Sequence, residues 1–145
     1  MNTLSRITAA GAVKRSTTID LGDCDDAYKG ATFDVWVTPT RAHLEAFAEY
    51  TAWLREEPQR AQAERDKIAD EAEREAFDLA TAERLEREMW RRLDAWLADT
   101  WLNIEPDEVT QIREHLQENH PAAWDWLYTH TLRTMNEYRE HLTKN

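Results

Sequence analysis

Glycine, proline and cysteine are scarce in this chain of 145 residues, which has three Gly, four Pro and one Cys. With Gly only at positions 11, 22 and 30, there is no glycine-rich loop through which a backbone approaches a nucleotide phosphate. Cys24 alone makes neither an internal disulfide nor a Cys-x-x-Cys pair. No apolar run reaches the ~18 residues that a membrane-spanning helix needs. No charged segment leads into an apolar stretch, so no signal peptide is expected, and the expected location is a reducing cytoplasm. Positive charge is also in short supply. Eighteen Lys and Arg face 29 Asp and Glu, for a net charge of −11. The deficit is spread along the chain: −1 over residues 1–40, −6 over 41–103 and −4 over 104–145. No segment is a basic patch able to release counterions from phosphates, so neither a nucleic-acid nor a membrane partner is expected.

What is present is helix-forming residues, charge and tryptophan. Residues 1–12 show no periodicity and read as a flexible N-terminal arm. Residues 13–145 read as a single α+β domain, mostly α-helical. A β-hairpin is expected over 13–39. Ile19 and Leu21 share one strand face, and Phe33, Val35 and Val37 share one face of a strand whose other face carries Thr32, Asp34, Trp36 and Thr38. Gly22-Asp23-Cys24-Asp25-Asp26 supplies turn chemistry between them.

About four helical segments follow. The first, 40–57, carries Leu44, Phe47, Ala48, Thr51 and Leu54 at spacings of three and four, and Pro58 is expected to stop or kink it. Residues 59–102 contain neither Gly nor Pro and predict a long helix, about 66 Å if continuous. Such a length without caps points to a coiled coil, a protruding hairpin arm or a helix broken in fact. Its first half, Gln59 to Glu75, is very polar and is expected to protrude. Its second half carries a wide stripe from Phe77 to Leu102. Helices over 105–118 and 121–143 complete the chain, each with Pro in its first turn.

Motifs for chemistry are weak. Cys24 sits among Asp23, Asp25 and Asp26, with none of the nearby positive charge that favours a thiolate, so no nucleophile is expected there. Counted as a calcium loop from Asp23, the sequence puts Tyr28 where Gly is required and Asp34 where Glu is required. Of His43, His115, His120, His130 and His141, no pair has the i,i+4 zinc spacing. The sequence thus gives no catalytic, metal or cofactor-binding residues, and a non-enzyme is expected.

Seven tryptophans are the most informative feature, and five of them fall after residue 89. Trp packs cores and also anchors interfaces. Trp124 and Trp126 are about 200° apart around a helix, so they do not share a face. Trp90, Trp96, Trp101, Trp124 and Trp126 are the candidate protein-binding residues.

Three runs in the front third carry a resemblance: Thr18-Ile19-Asp20-Leu21-Gly22-Asp23, then Tyr28-Lys29-Gly30, then Phe33 to Thr40 with Pro39. Together they resemble the small tail assembly chaperones of long-tailed bacteriophages and prophages, in which such a hairpin precedes an all-helical body. The match is sharpest over residues 18–40. Beyond it, length, acidity, helix order and the Trp-rich close are similar. The polar stretch from Gln59 to Glu75 departs from the family pattern, as does Thr38-Pro39 where the family has Asn-Pro. The resemblance implies a non-catalytic protein of the bacterial host cytoplasm. Its partner would be the tape-measure protein, the tail-tube protein or both, held during tail morphogenesis. Two other readings fit the composition: an acidic phage-encoded inhibitor or DNA mimic that binds a nucleic-acid enzyme, and a helical self-assembling virion component. Arginines interleaved with the acidic residues from 60 to 92 argue against a clean phosphate mimic. Homo-oligomerisation stays open at this point.

Overall fold

The computed structural model of the protein describes residues 2–11 and 13–144, the side chain of Lys144 excepted. It is mostly α-helical with one two-stranded antiparallel sheet. Its elements are α1 (Thr3–Gly11), β1 (Ser16–Asp20), β2 (Thr32–Trp36), α2 (Arg41–Asp66), α3 (Glu71–Thr100), α4 (Pro106–Asn119) and α5 (Pro121–Lys144). The chain divides into two compact units, one of residues 1–40 with 97–145 and one of residues 41–96.

In the first unit, β1 and β2 pair in the register Ser16–Trp36, Ile19–Phe33 and Asp20–Thr32. The alternation read from the sequence does what it predicts: Ile19, Leu21, Phe33, Val35 and Val37 are all buried. A third piece of chain lies along the free edge of β2. Val35 bridges to Trp101, the Leu102 N–H donates to the Asp34 carbonyl at 2.9 Å, and the Asn103 side chain spans Asp34 N and Thr32 O at 2.8 and 2.9 Å. This pairing satisfies backbone groups that an edge strand otherwise leaves open. Trp101 is thereby carried into the core, fully buried, with Phe33 at 4.8 Å and Trp124 edge-on at 6.3 Å between ring centres. Its indole N–H donates to Thr131 Oγ1 at 3.1 Å, and that hydroxyl donates to the Leu127 carbonyl. The polar end of a buried Trp is thus satisfied. In α4 and α5, Val109, Leu116, Ala123 and Leu127 complete this core.

In the second unit, α2 and α3 form an antiparallel helical hairpin. Arg65 meets Asp78 at 3.0 Å, Arg84 meets Glu57 at 3.5 Å, and Trp96 stacks on His43 at 4.9 Å between ring centres. Here the expected helices 40–57 and 59–102 are corrected. Pro58 lies inside α2, which runs on to Asp66. Proline forfeits one N–H bond within a helix. Around it, Arg60 bridges Glu56 and Glu57 across one turn, and further on Arg65 reaches α3, which hold the helix together. The break falls instead at residues 67–70. There Asp70 caps α3 by accepting from Glu73 N at 3.0 Å, and Arg74 Nε reaches the Ile68 carbonyl at 2.6 Å. The polar stretch 59–75 is therefore the turn end of this hairpin. Asp70-x-x-Glu73 has the spacing of a capping box, the sequence signal that places the break.

The segment expected as an arm, 1–12, is mostly helical: α1 covers Thr3–Gly11, with Asn2 Oδ1 accepting from Ser5 N at 2.8 Å. None of its residues is buried. Met1 and Ala12 of that expected arm lie outside the described residues.

Candidate functional site

Two of the three runs singled out in the front third, 18–23 and 28–30, meet in the turn between β1 and β2. Asp20 closes β1 and accepts from Gly22 N at 2.7 Å and from Gly30 N at 3.2 Å, so one carboxylate ties both ends of the eleven-residue connection. Gly22 passes so close to Lys29 that an added Cβ would lie 2.6 Å from the Lys29 Cα. Gly30 has φ +92°, which L side chains rarely adopt. Between them Asp25 caps a second short turn through Ala27 N at 2.9 Å. Asp20 and Asp25 are thus spent on backbone N–H groups, while Asp23 and Asp26 are exposed. Among the described residues, no group of three or more His, Cys, Asp or Glu is arranged to hold a metal ion. Cys24 is partly exposed in this turn.

The turn end of the hairpin and α4 enclose an open apolar groove of about 590 Å³. Leu21, Tyr28 and Phe33 form one wall, and Ile104, Ile112 and Leu116 the other. Tyr28 is steadied by His120, 5.7 Å away between ring centres.

The five candidate tryptophans separate into two kinds. Trp96, Trp101 and Trp124 are buried and pack the interior. Trp90 and Trp126 are partly exposed. Trp126 stacks on His130 with 3.9 Å between ring centres, and His130 Nδ1 lies 2.8 Å from the Trp126 carbonyl. The 200° separation of Trp124 and Trp126 is visible in this split, one in the core and one at the surface. Sequence reasoning missed the groove, because it joins residues about ninety positions apart. The signal within reach was Ile112 with Leu116 on α4 at i,i+4.

In the helical hairpin, a smaller apolar pocket of about 220 Å³ lies between Trp53, Leu54 and Pro58 of α2 and Leu85 and Met89 of α3. The Arg92 guanidinium sits over the Trp53 ring at 5.0 Å. Leu44, Leu54 and Leu79 of the same unit are exposed. Along α3, Glu88 accepts from Arg91 Nε and Arg92 Nε, each at 2.9 Å. The hydrogen bond from Arg91, with further help from the Arg91 charge and from Arg92, pulls the Glu88 carboxyl down from 4.5 to about 2 against the opposing effect of desolvation. Arg91 is raised in turn. Burial pushes the Tyr128 hydroxyl up. Among the described residues, no helix is long and apolar enough to cross a membrane. No protein-family model, no curated protein and no solved structure matches this chain.

Proposed function

We propose that this chain is a non-catalytic tail assembly chaperone of a long-tailed bacteriophage or prophage. It acts in the bacterial host cytoplasm, without a cofactor, on the tape-measure protein, the tail-tube protein or both. The observation that carries this reading is the hairpin of residues 18–40. Among the residues on which the resemblance rests, Asp20, Gly22 and Gly30 are those whose chemistry the turn requires, which supports the reading. The surface suits the task. A client with long apolar helical stripes needs apolar cover, and Trp90, Trp126, Leu44, Leu54 and Leu79, all at least partly exposed, offer it. Weak, exchangeable contacts suit a factor displaced as the tube polymerises. A net charge of −11 keeps the loaded complex soluble.

The test is a tagged pull-down from lysate of the native host at low and high salt, with bound proteins identified by mass spectrometry. Salt-resistant capture of a long helical tail protein or a tube subunit is expected. Salt-sensitive capture of a nuclease, polymerase or repressor would instead support the DNA-mimic reading and overturn this one.

A further inference from the structure

The first nineteen residues contain Arg6, Lys14 and Arg15 and no acidic residue at all. Within them α1 is a helix capped by Asn2 that buries none of its residues: Leu4 is 72% exposed and Ile7 64%, and Val13 just beyond is 60% exposed. Leu4 and Ile7 fall three apart on one helix face. The apolar groove between the hairpin turn and α4 has the opposite character. The segments lining it, 20–34 and 104–119, carry ten acidic residues against Lys29 and Arg113. Asp23, Asp26, Glu108, Glu114 and Glu118 are exposed on them, and Arg113 is buried. An apolar cleft flanked by acidic segments fits a short helix with Leu4 and Ile7 on one face and Arg6 as its one charged side chain, and α1 is such a helix with no residue buried.

We propose that α1 docks in the groove of a second copy of the chain, giving a two-fold dimer with exchanged N-terminal helices. The hairpin decides between a neighbour and the same chain. Val37 N donates to the Arg15 carbonyl, Arg15 N donates to Thr38 Oγ1, and the Lys14 ammonium sits over the Trp36 ring at 4.5 Å. These contacts lead the chain away at the open end of the hairpin. The groove lies at its turn end, about 16 Å further along β1 at 3.3 Å per residue. Its own α1 does not fill that groove: no α1 residue is buried and none lines it. In a two-fold arrangement each copy gives one helix and receives one, so the contact closes and does not propagate. This inference is independent of the client that the chain binds.

Sedimentation equilibrium of the full chain, at low and high salt, tests it. The expected result is a mass of two chains at low salt, with a dimer Kd weaker by about tenfold or more in high salt. The double variant Leu4→Ser, Ile7→Ser is expected to be monomeric, with an unchanged circular dichroism spectrum because α1 buries no residue. Ile112→Glu in the groove is expected to be monomeric too. Mixing the two variants is expected to restore association, since the intact helix of one meets the intact groove of the other. A wild-type chain that stays monomeric at every concentration overturns the proposal, and closure of α1 on its own groove gives that result. A dimer whose Kd the double variant leaves unchanged overturns it as well. If Ile112→Glu fails to fold, the double variant decides alone.

Discussion

Asp20 holds the long hairpin turn from both ends, and the two glycines it contacts have no substitutes. Gly30 sits at φ +92°, so Gly30→Ala is expected to cost about 1–2 kcal/mol. Gly22→Ala forces a Cβ against the Lys29 backbone at 2.6 Å and is expected to cost about 1–3 kcal/mol. Asp20→Ala leaves two N–H groups without their carboxylate, a loss of about 1–2 kcal/mol. Thermal denaturation of the three variants checks all of these. Gly30→Asn, which tolerates positive φ, should lie nearer to wild type than Gly30→Ala. The tryptophans behave differently from one another. Trp101→Ala removes a fully buried ring and its bond to Thr131, and is expected to cost about 3–5 kcal/mol. Trp126→Ala and Trp90→Ala act on partly exposed rings. They are expected to leave the melting temperature nearly unchanged while weakening client capture in the pull-down. Loss of stability without loss of capture would assign both rings to packing alone.

At the level of elements, the hairpin and the two C-terminal helices were legible because their signals are local. Alternation from Phe33 to Val37 marks a strand, and Pro106 and Pro121 mark helix starts that fall where the sequence puts them. The α2–α3 break was hidden, because Asp70 and Glu73 are two more acidic residues in a polar run and Pro58 is the louder signal. The pairing of Trp101 to Asn103 with β2 was illegible for a different reason. It is a contact across nearly seventy positions, made by backbone groups that any residue carries together with one Asn103 side chain. For α1, Leu4 and Ile7 were there to be read, but two apolar residues in nine make no sustained period. Within α3, Glu88 gives a pH prediction. Its pKa falls on folding from 4.5 to about 2, so its contribution is present above about 4.5 and is lost as pH falls towards 2. Acid unfolding of Glu88→Gln should therefore show a shallower decline over that window than the wild type. Identical acid profiles for the two chains would show that the pairing with Arg91 and Arg92 adds nothing to stability.

For the molecule as a whole, charge is arranged rather than merely abundant. A cationic, acid-free stretch opens the sequence, and the segments around the groove in the same unit are acidic. The composition showed the total of −11, while this opposition emerged only when the fold brought residues 21–33 beside 104–116. The candidate site was correspondingly half legible. Tryptophan count pointed to an interaction protein, but three of the five rings singled out turned out to build the interior. The central claim is that the chain serves tail assembly by binding other proteins. The most direct measurement is electron microscopy of particles released by the native host with and without the gene for this chain. The account predicts filled heads without tails, or with short aberrant tails, when the gene is deleted, and recovery when it is supplied in trans. Particles with tails of normal length and number in the deletion strain would contradict it.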